Sequence, residues 1–334
     1  MMNPCVRTDT AGGVGRLVLH RPSALNALDL PMVRALSSAL LRWRDDPAVG
    51  AVVVASSSPR AFCAGGDIRA VREAVLAGDR EAVRAFFTEE YRLNRLIAEY
   101  PKPYVALIDG FAMGGGLGIS VHGSARVVTE RASLAMPETH IGFFPDVGAS
   151  HFLPRLPGGT GMYLGLTGAR IGAGTAVACG LATHFVPSAG LPALERDLAR
   201  ADAREFPRVL DSHARPAPAS ELADHRERVD HCFGAPALEE VVARLEADGG
   251  AWARGALADL RRASPTSLAA TFALLRRGAR SPLAACLERE LRLGEVLTAG
   301  PDFAEGVRAV LVDKDGAPAW APVATRTAAC LQEA

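Results

Sequence analysis

The chain has 334 residues, 49% of them apolar, which is enough for a sizeable core in one large domain or two smaller ones. Its 37 basic and 37 acidic side chains balance, which argues against a broad electrostatic footprint for nucleic acid. Cys5, Cys63, Cys179, Cys232, Cys286 and Cys330 are scattered without a Cys-x-x-Cys pair. That spacing argues against a zinc site or a disulfide scaffold and suits a reducing, cytoplasmic setting.

The opening Met1-Met2-Asn3-Pro4-Cys5-Val6-Arg7 lacks the apolar core of a secretory leader. Residues 16–20 read as a short strand, followed by a turn at Arg21-Pro22-Ser23. Asp29 is placed to cap a helix with Pro31 in its first turn and with Val33, Leu36, Leu40 and Trp43 on one face. Residues 51–55 and 104–108 read as buried strands, with others at 126–129 and around Phe185-Val186. Residues 104–121 form the most apolar long stretch, but Asp109 and five glycines break it. No membrane span is expected there, and a soluble protein is.

Between these strands, Val83, Phe86, Phe87, Leu93 and Ile97 recur at helical spacing, and Glu90 interrupts their stripe. A carboxylate at that position needs either an arginine partner or a substrate, because unpaired burial is expensive. Strand signals nearly vanish after Pro207, and segments such as 238–245 and 267–277 read as helices. The Pro/Ala/Ser-rich run at 213–220 reads as a connection. The expected architecture is therefore α/β with mainly parallel pairing over residues 1–206, then a helical region over 207–334 packing on that core.

Two motifs carry chemistry. Gly110-Phe111-Ala112-Met113-Gly114-Gly115-Gly116-Leu117-Gly118 follows a predicted strand and opens a helix, so its N–H groups lack acceptors at the positive end of a dipole. The apolar segment 136–148 holds two carboxylates, Glu138 and Asp146. Acids facing bare N–H donors suit acyl chemistry. Each group also has a plainer reading: a tight turn for the glycines, an ion pair for Glu138, a helix cap for Asp146. Dinucleotide binding is rejected, since the fingerprint starting at Gly114 needs glycine where the chain has Ile119. His122, His140 and His151 lack metal-ligand spacing, so no metal is expected. Cys63 has no evident histidine partner and reads as a packing residue.

Three segments together resemble the crotonase (enoyl-CoA hydratase/isomerase) superfamily. They are His20-Arg21-Pro22-Ser23-Ala24-Leu25-Asn26-Ala27-Leu28, Phe62-Cys63-Ala64-Gly65-Gly66-Asp67-Ile68, and the glycine turn at 110–118. Within that superfamily the chain is similar to the hydrolases of 3-hydroxyisobutyryl-CoA. That likeness rests on Ser120-Val121-His122-Gly123, segment 136–148, Leu166-Thr167-Gly168, Ala182-Thr183-His184-Phe185-Val186, Ser264-Pro265-Thr266-Ser267, segment 302–310 and Asp313-Lys314-Asp315.

The resemblance implies a spiral core of ββα units with a helical C-terminal region. It implies an acyl-CoA-binding core over 1–206 and an oxyanion hole from the N–H groups of Gly66 and Gly115. It also implies catalysis by Glu138 and Asp146, substrate contacts from Glu90, Gly115, Glu138 and Asp146, and CoA contacts from Ala24, Ala64, Gly66, Asp67 and Ile68. The implied reaction is thioester hydrolysis in valine breakdown. Its partner is an acyl-CoA substrate, with no further cofactor, nucleic acid or membrane, and a homo-oligomer is consistent with it. Gly118 departs from the hydratase pattern, which places a second glutamate there. An enoyl-CoA hydratase or isomerase, and a non-catalytic acyl-CoA-binding or interaction protein, are the alternatives.

Overall fold

The computed structural model describes residues 5–322; residues 1–4 and 323–334, including most of the opening read for a leader and Cys330, lie outside the described residues. The described chain divides into two compact units that interleave in sequence. The first comprises residues 1–66, 92–134 and 171–221, and the second residues 67–91, 135–170 and 222–334. The division expected from composition, at 206/207, follows chain order, whereas these units do not.

The first unit holds the sheets. Strands β1 (Val6–Ala11), β2 (Val14–Leu19), β3 (Ala51–Ser56), β4 (Ala61–Cys63), β5 (Tyr104–Ile108), β6 (Phe111–Met113), β7 (Ala125–Val128), β8 (Ser133–Ala135), β9 (Ile171–Gly172) and β10 (His184–Phe185) follow in chain order. One sheet runs β1-β2-β3-β5-β7-β10 and the other β4-β6-β8-β9. From β2 through β10 the larger sheet pairs in parallel. Antiparallel pairing occurs for β1 with β2 and for β8 with β9.

Residues such as Val53, Ala55, Val105, Leu107 and Val127 bury that sheet in a core completed by Leu194, Leu198 and Phe206. The long parallel strands match the sequence reading because burial on both faces leaves near-continuous apolar runs. β1 was not foreseen, for its Arg7, Thr8, Asp9 and Thr10 are mostly solvent-facing on a sheet edge. The two- and three-residue strands carry too few residues for any periodicity.

Helix Leu30–Asp45 starts as expected, with the Asp29 carboxylate accepting from the Met32 N–H at 2.8 Å. It buries Met32, Val33, Leu36, Ala39, Leu40 and Trp43. Helix Arg80–Ala98 buries Val83, Phe86, Phe87, Leu93 and Ile97, and Glu90 among them. From Phe206 to Val312 the described elements are all helical. In the second unit these helices enclose an apolar core of Leu166, Phe233, Val241, Leu245, Leu257 and Leu260.

Candidate active site

In the first unit, Asn26 ties two of the sequence motifs together. It is fully buried at positive φ, its Oδ1 accepts from the Arg21 N–H, and its Nδ2 donates to Ser56 Oγ and the Phe62 carbonyl. Ala64 N–H donates to the Leu25 carbonyl at 3.0 Å and Leu28 N–H to the Gly65 carbonyl at 2.8 Å. The segments bearing Ala24 and Ala64 are thereby laid side by side. Gly66 bridges Leu28, and a Cβ on its neighbour Gly65 would lie 3.2 Å from the Met113 carbonyl and 3.7 Å from the Gly115 nitrogen.

The two glycine segments therefore adjoin, as the sequence could not show. Gly115 opens the short helix Gly115–Gly118, so its N–H has no acceptor within that helix. A Cβ on Gly116 would collide with the Cys63 carbonyl. Cys63 is wholly buried, its thiol directed at the Asn26 and Gly65 carbonyls.

The second unit holds the acids. Asp67 accepts from the Ala70 N–H at 3.3 Å as the cap of helix Ile68–Leu76, which Ile68 begins. Glu138 opens a single helical turn, Glu138–Ile141, directly after β8. That turn is fixed from both sides: Ser264 N–H donates to the Thr139 carbonyl, and His140 Nε2 lies 2.9 Å from the Thr167 carbonyl. His140 thus has a structural partner rather than a metal-ligand geometry.

Glu90, Glu138 and Asp146 are 2%, 8% and 6% exposed, and all three interact electrostatically. Among the described residues none forms an ion pair with a lysine, arginine or histidine. The arginine partner considered for Glu90 is not there. Glu90 Oε1 and Glu138 Oε2 are buried without any hydrogen-bond partner. In the same unit the rings of Phe87, Phe143 and Phe144 stack on one another.

Asp146 does not cap the following helix, Ala149–Phe152, with its side chain. Its Oδ2 accepts from the Tyr91 hydroxyl at 2.8 Å. A fourth buried acid, Glu290 on helix Leu283–Thr298, accepts from the N–H groups of Gly148 and Ser150.

Burial drives the titration of the group. It pushes Glu90 and Glu138 well above the usual carboxylate range, and the Asp146 charge adds to both shifts. Asp146 is pushed up to about 7 by burial, against the pull of the Tyr91 hydroxyl and its own N–H. Glu290 is pushed up to about 8, burial again outweighing the Ser150 and Gly148 donors. Like charges this close resist simultaneous ionisation, so the cluster retains protons near neutrality. Such a group can hold a base and an acid at once.

The sequence profile described as enoyl-CoA hydratase/isomerase matches residues 14–330. The chain belongs to the enoyl-CoA hydratase/isomerase family. Among solved structures, a carnitinyl-CoA dehydratase from Mycobacterium thermoresistibile is 37% identical with a TM-score of 0.92, covering 98% of this chain and 96% of that one. An enoyl-CoA hydratase from Rhodobacter sphaeroides is 41% identical with a TM-score of 0.91 over the same shares. The fold is the crotonase type, as the motifs implied.

Among curated relatives, the mitochondrial 3-hydroxyisobutyryl-CoA hydrolase of Xenopus tropicalis is 47% identical over 93% of this chain and 83% of its own length. The human protein of that name is 42% identical over 95% of this chain and 84% of its own length.

Tyr91, Ser150 and Glu290 escaped the sequence reading of this family member. Glu290 had a readable signal, since it interrupts the buried stripe Cys286, Leu287, Leu293, Gly294 and Leu297 as Glu90 interrupts its own. Tyr91 had none, because only tertiary packing brings its hydroxyl to Asp146.

Proposed function

We propose that the chain hydrolyses a short branched 3-hydroxyacyl-CoA, with 3-hydroxyisobutyryl-CoA as substrate and 3-hydroxyisobutyrate and CoA as products, a step of valine breakdown. The carrying observation is Gly118. Hydration of a C=C bond calls for a second acid at that position, and glycine supplies none. The names of the full-length relatives from frog to human support the same choice.

In this reading the N–H groups of Gly66 and Gly115 take the charge that develops on the thioester oxygen. Ala24, Ala64, Gly66, Asp67 and Ile68 contact the CoA moiety, and Glu90 accepts from the substrate's 3-hydroxyl. Glu138 either attacks the thioester carbon itself or takes the proton of the attacking water. Asp146 orients that water and passes the proton on. Where Glu138 attacks, the C–S bond breaks to leave an acyl–Glu138 anhydride, which the water oriented by Asp146 then hydrolyses to free the carboxylate. Where water attacks directly, the C–S bond breaks as the C–OH bond forms. On either route the leaving thiolate takes its proton from Asp146, and the proton lost by the attacking water replaces it. No step calls on a metal or redox cofactor, and CoA enters as part of the substrate.

No described helix is long and apolar enough to cross a membrane. The cytoplasm is our proposed compartment, although the named relatives are mitochondrial; cell fractionation distinguishes the two. A homo-oligomer without nucleic-acid partners completes the proposal, and gel filtration sizes it.

A second reading, hydration or isomerisation of an enoyl-CoA, is favoured by the likeness to the enoyl-CoA hydratase of Rhodobacter sphaeroides. A panel of thioesters decides between them. Release of free thiol from 3-hydroxyisobutyryl-CoA, with slow loss of enoyl absorbance from crotonyl-CoA, is expected. Fast hydration of crotonyl-CoA without thiol release would overturn the hydrolase reading.

A further inference from the structure

The turn that carries Asp146 is strained, and one distant carboxylate holds it. Val147 has φ +53°, a region that a β-branched side chain rarely enters. Gly148 follows at φ +84°, and the helix Ala149–Phe152 then begins without a side-chain cap of its own. Glu290, fully buried, takes over that capping from across the second unit. Its Oε2 accepts from Gly148 N–H at 2.7 Å, and its Oε1 accepts from Ser150 N–H at 3.0 Å and Ser150 Oγ at 2.5 Å.

Three donors within four residues of Asp146 thus converge on one side chain. A backbone held in so sparse a region persists only where its surroundings over-determine it. The Tyr91 hydroxyl fixes the Asp146 carboxylate itself, so main chain and side chain are restrained from different elements.

We propose that Glu290 is a positioning residue for hydrolysis, holding the strained Val147-Gly148 turn so that Asp146 meets the reacting water. The proposal rests on the hydrolase reading. Glu290 touches no substrate in this arrangement and acts through the turn alone. Replacing it should therefore slow turnover and leave binding of the substrate largely intact.

Glu290→Gln keeps the shape, but its amide nitrogen must face one of the N–H donors. The expected result is a drop in kcat of about tenfold or more, with KM within about twofold. Val147→Gly added to Glu290→Gln should recover part of the lost kcat, since glycine enters the positive-φ region without strain. A Glu290 that merely fills the core predicts the opposite, because the second substitution would deepen the defect.

Should Glu290→Gln fail to fold, Glu290→Asp, which withdraws the carboxyl oxygens by one methylene, takes its place with the same expected split. A folded Glu290 variant with near-parental kcat, or a double variant slower than the single one, overturns the positioning role. Parent protein that releases no thiol overturns the hydrolase reading first, and with it any part for Glu290 in hydrolysis. The two failures are thus told apart by which protein is inactive.

Discussion

The glycine segments of the first unit and the carboxylate segment of the second handle polar groups in opposite ways. Around Gly65 and Gly116 the backbone is tightly packed, and the buried Asn26 has its side chain fully engaged. Around Asp146, by contrast, acids are buried with oxygens left unpartnered on Glu90 and Glu138. A satisfied polar group adds to stability, whereas an unsatisfied one costs it. The difference separates a region built to hold its shape from a region that buries unpaired acids at the expense of stability. Substitutions in the first should thus be read mainly in melting temperature, and those in the second mainly in turnover.

The largest effect is expected at Glu138. Glu138→Gln keeps the volume and removes the proposed nucleophile or base, so kcat should fall by about a thousandfold or more while KM and melting temperature change little. Near-parental turnover would make Glu138 structural and collapse the contrast.

Gly116→Ala is the complementary test. The added methyl meets the backbone carbonyl of Cys63, which cannot swing aside like a flexible side chain. A loss of about 1–3 kcal/mol in stability is expected by denaturant unfolding, with activity falling as the turn shifts. A variant as stable as the parent would show the glycine segment to be looser than its geometry implies.

Glu90→Ala should act on selectivity. If Glu90 accepts from the substrate's 3-hydroxyl, the preference in kcat/KM for 3-hydroxyisobutyryl-CoA over isobutyryl-CoA should shrink by about tenfold. An unchanged ratio would leave Glu90 as a buried acid without a role in reading substrate.

The smallest effect is a pH dependence of stability. The folded-state pKa values of Glu90, Glu138, Asp146 and Glu290 all lie above those of the unfolded chain, because burial favours the neutral acids. An unfolded chain then releases protons that the folded one keeps, so stability falls as pH rises from the ordinary carboxylate range towards 7 and 8. The melting temperature should drop by a few degrees between mildly acidic and mildly alkaline buffer, and Glu90→Gln should flatten that slope. A melting temperature that rises over this window would contradict the burial of the cluster.

Much of this was legible in the chain itself. The long parallel strands announced themselves as apolar runs, the first long helix by Asp29 and Pro31, and the buried acid at Glu90 by a broken stripe. The glycine turn and the carboxylate segment were equally plain, because backbone freedom and unpaired charge are local properties of residue type. Sequence alone left open whether Glu90 had an arginine partner and whether Asp146 capped a helix, and it passed over the edge strand Val6–Ala11.

Tertiary structure decided the rest, since distance in space is not written in local pattern. It set Gly65 beside Gly115, turned the Tyr91 hydroxyl to Asp146, and brought Glu290 to the amides of Gly148 and Ser150. It also excluded water and counter-charges from the acids, and that burial, more than the identity of any one residue, pushes their pKa values up.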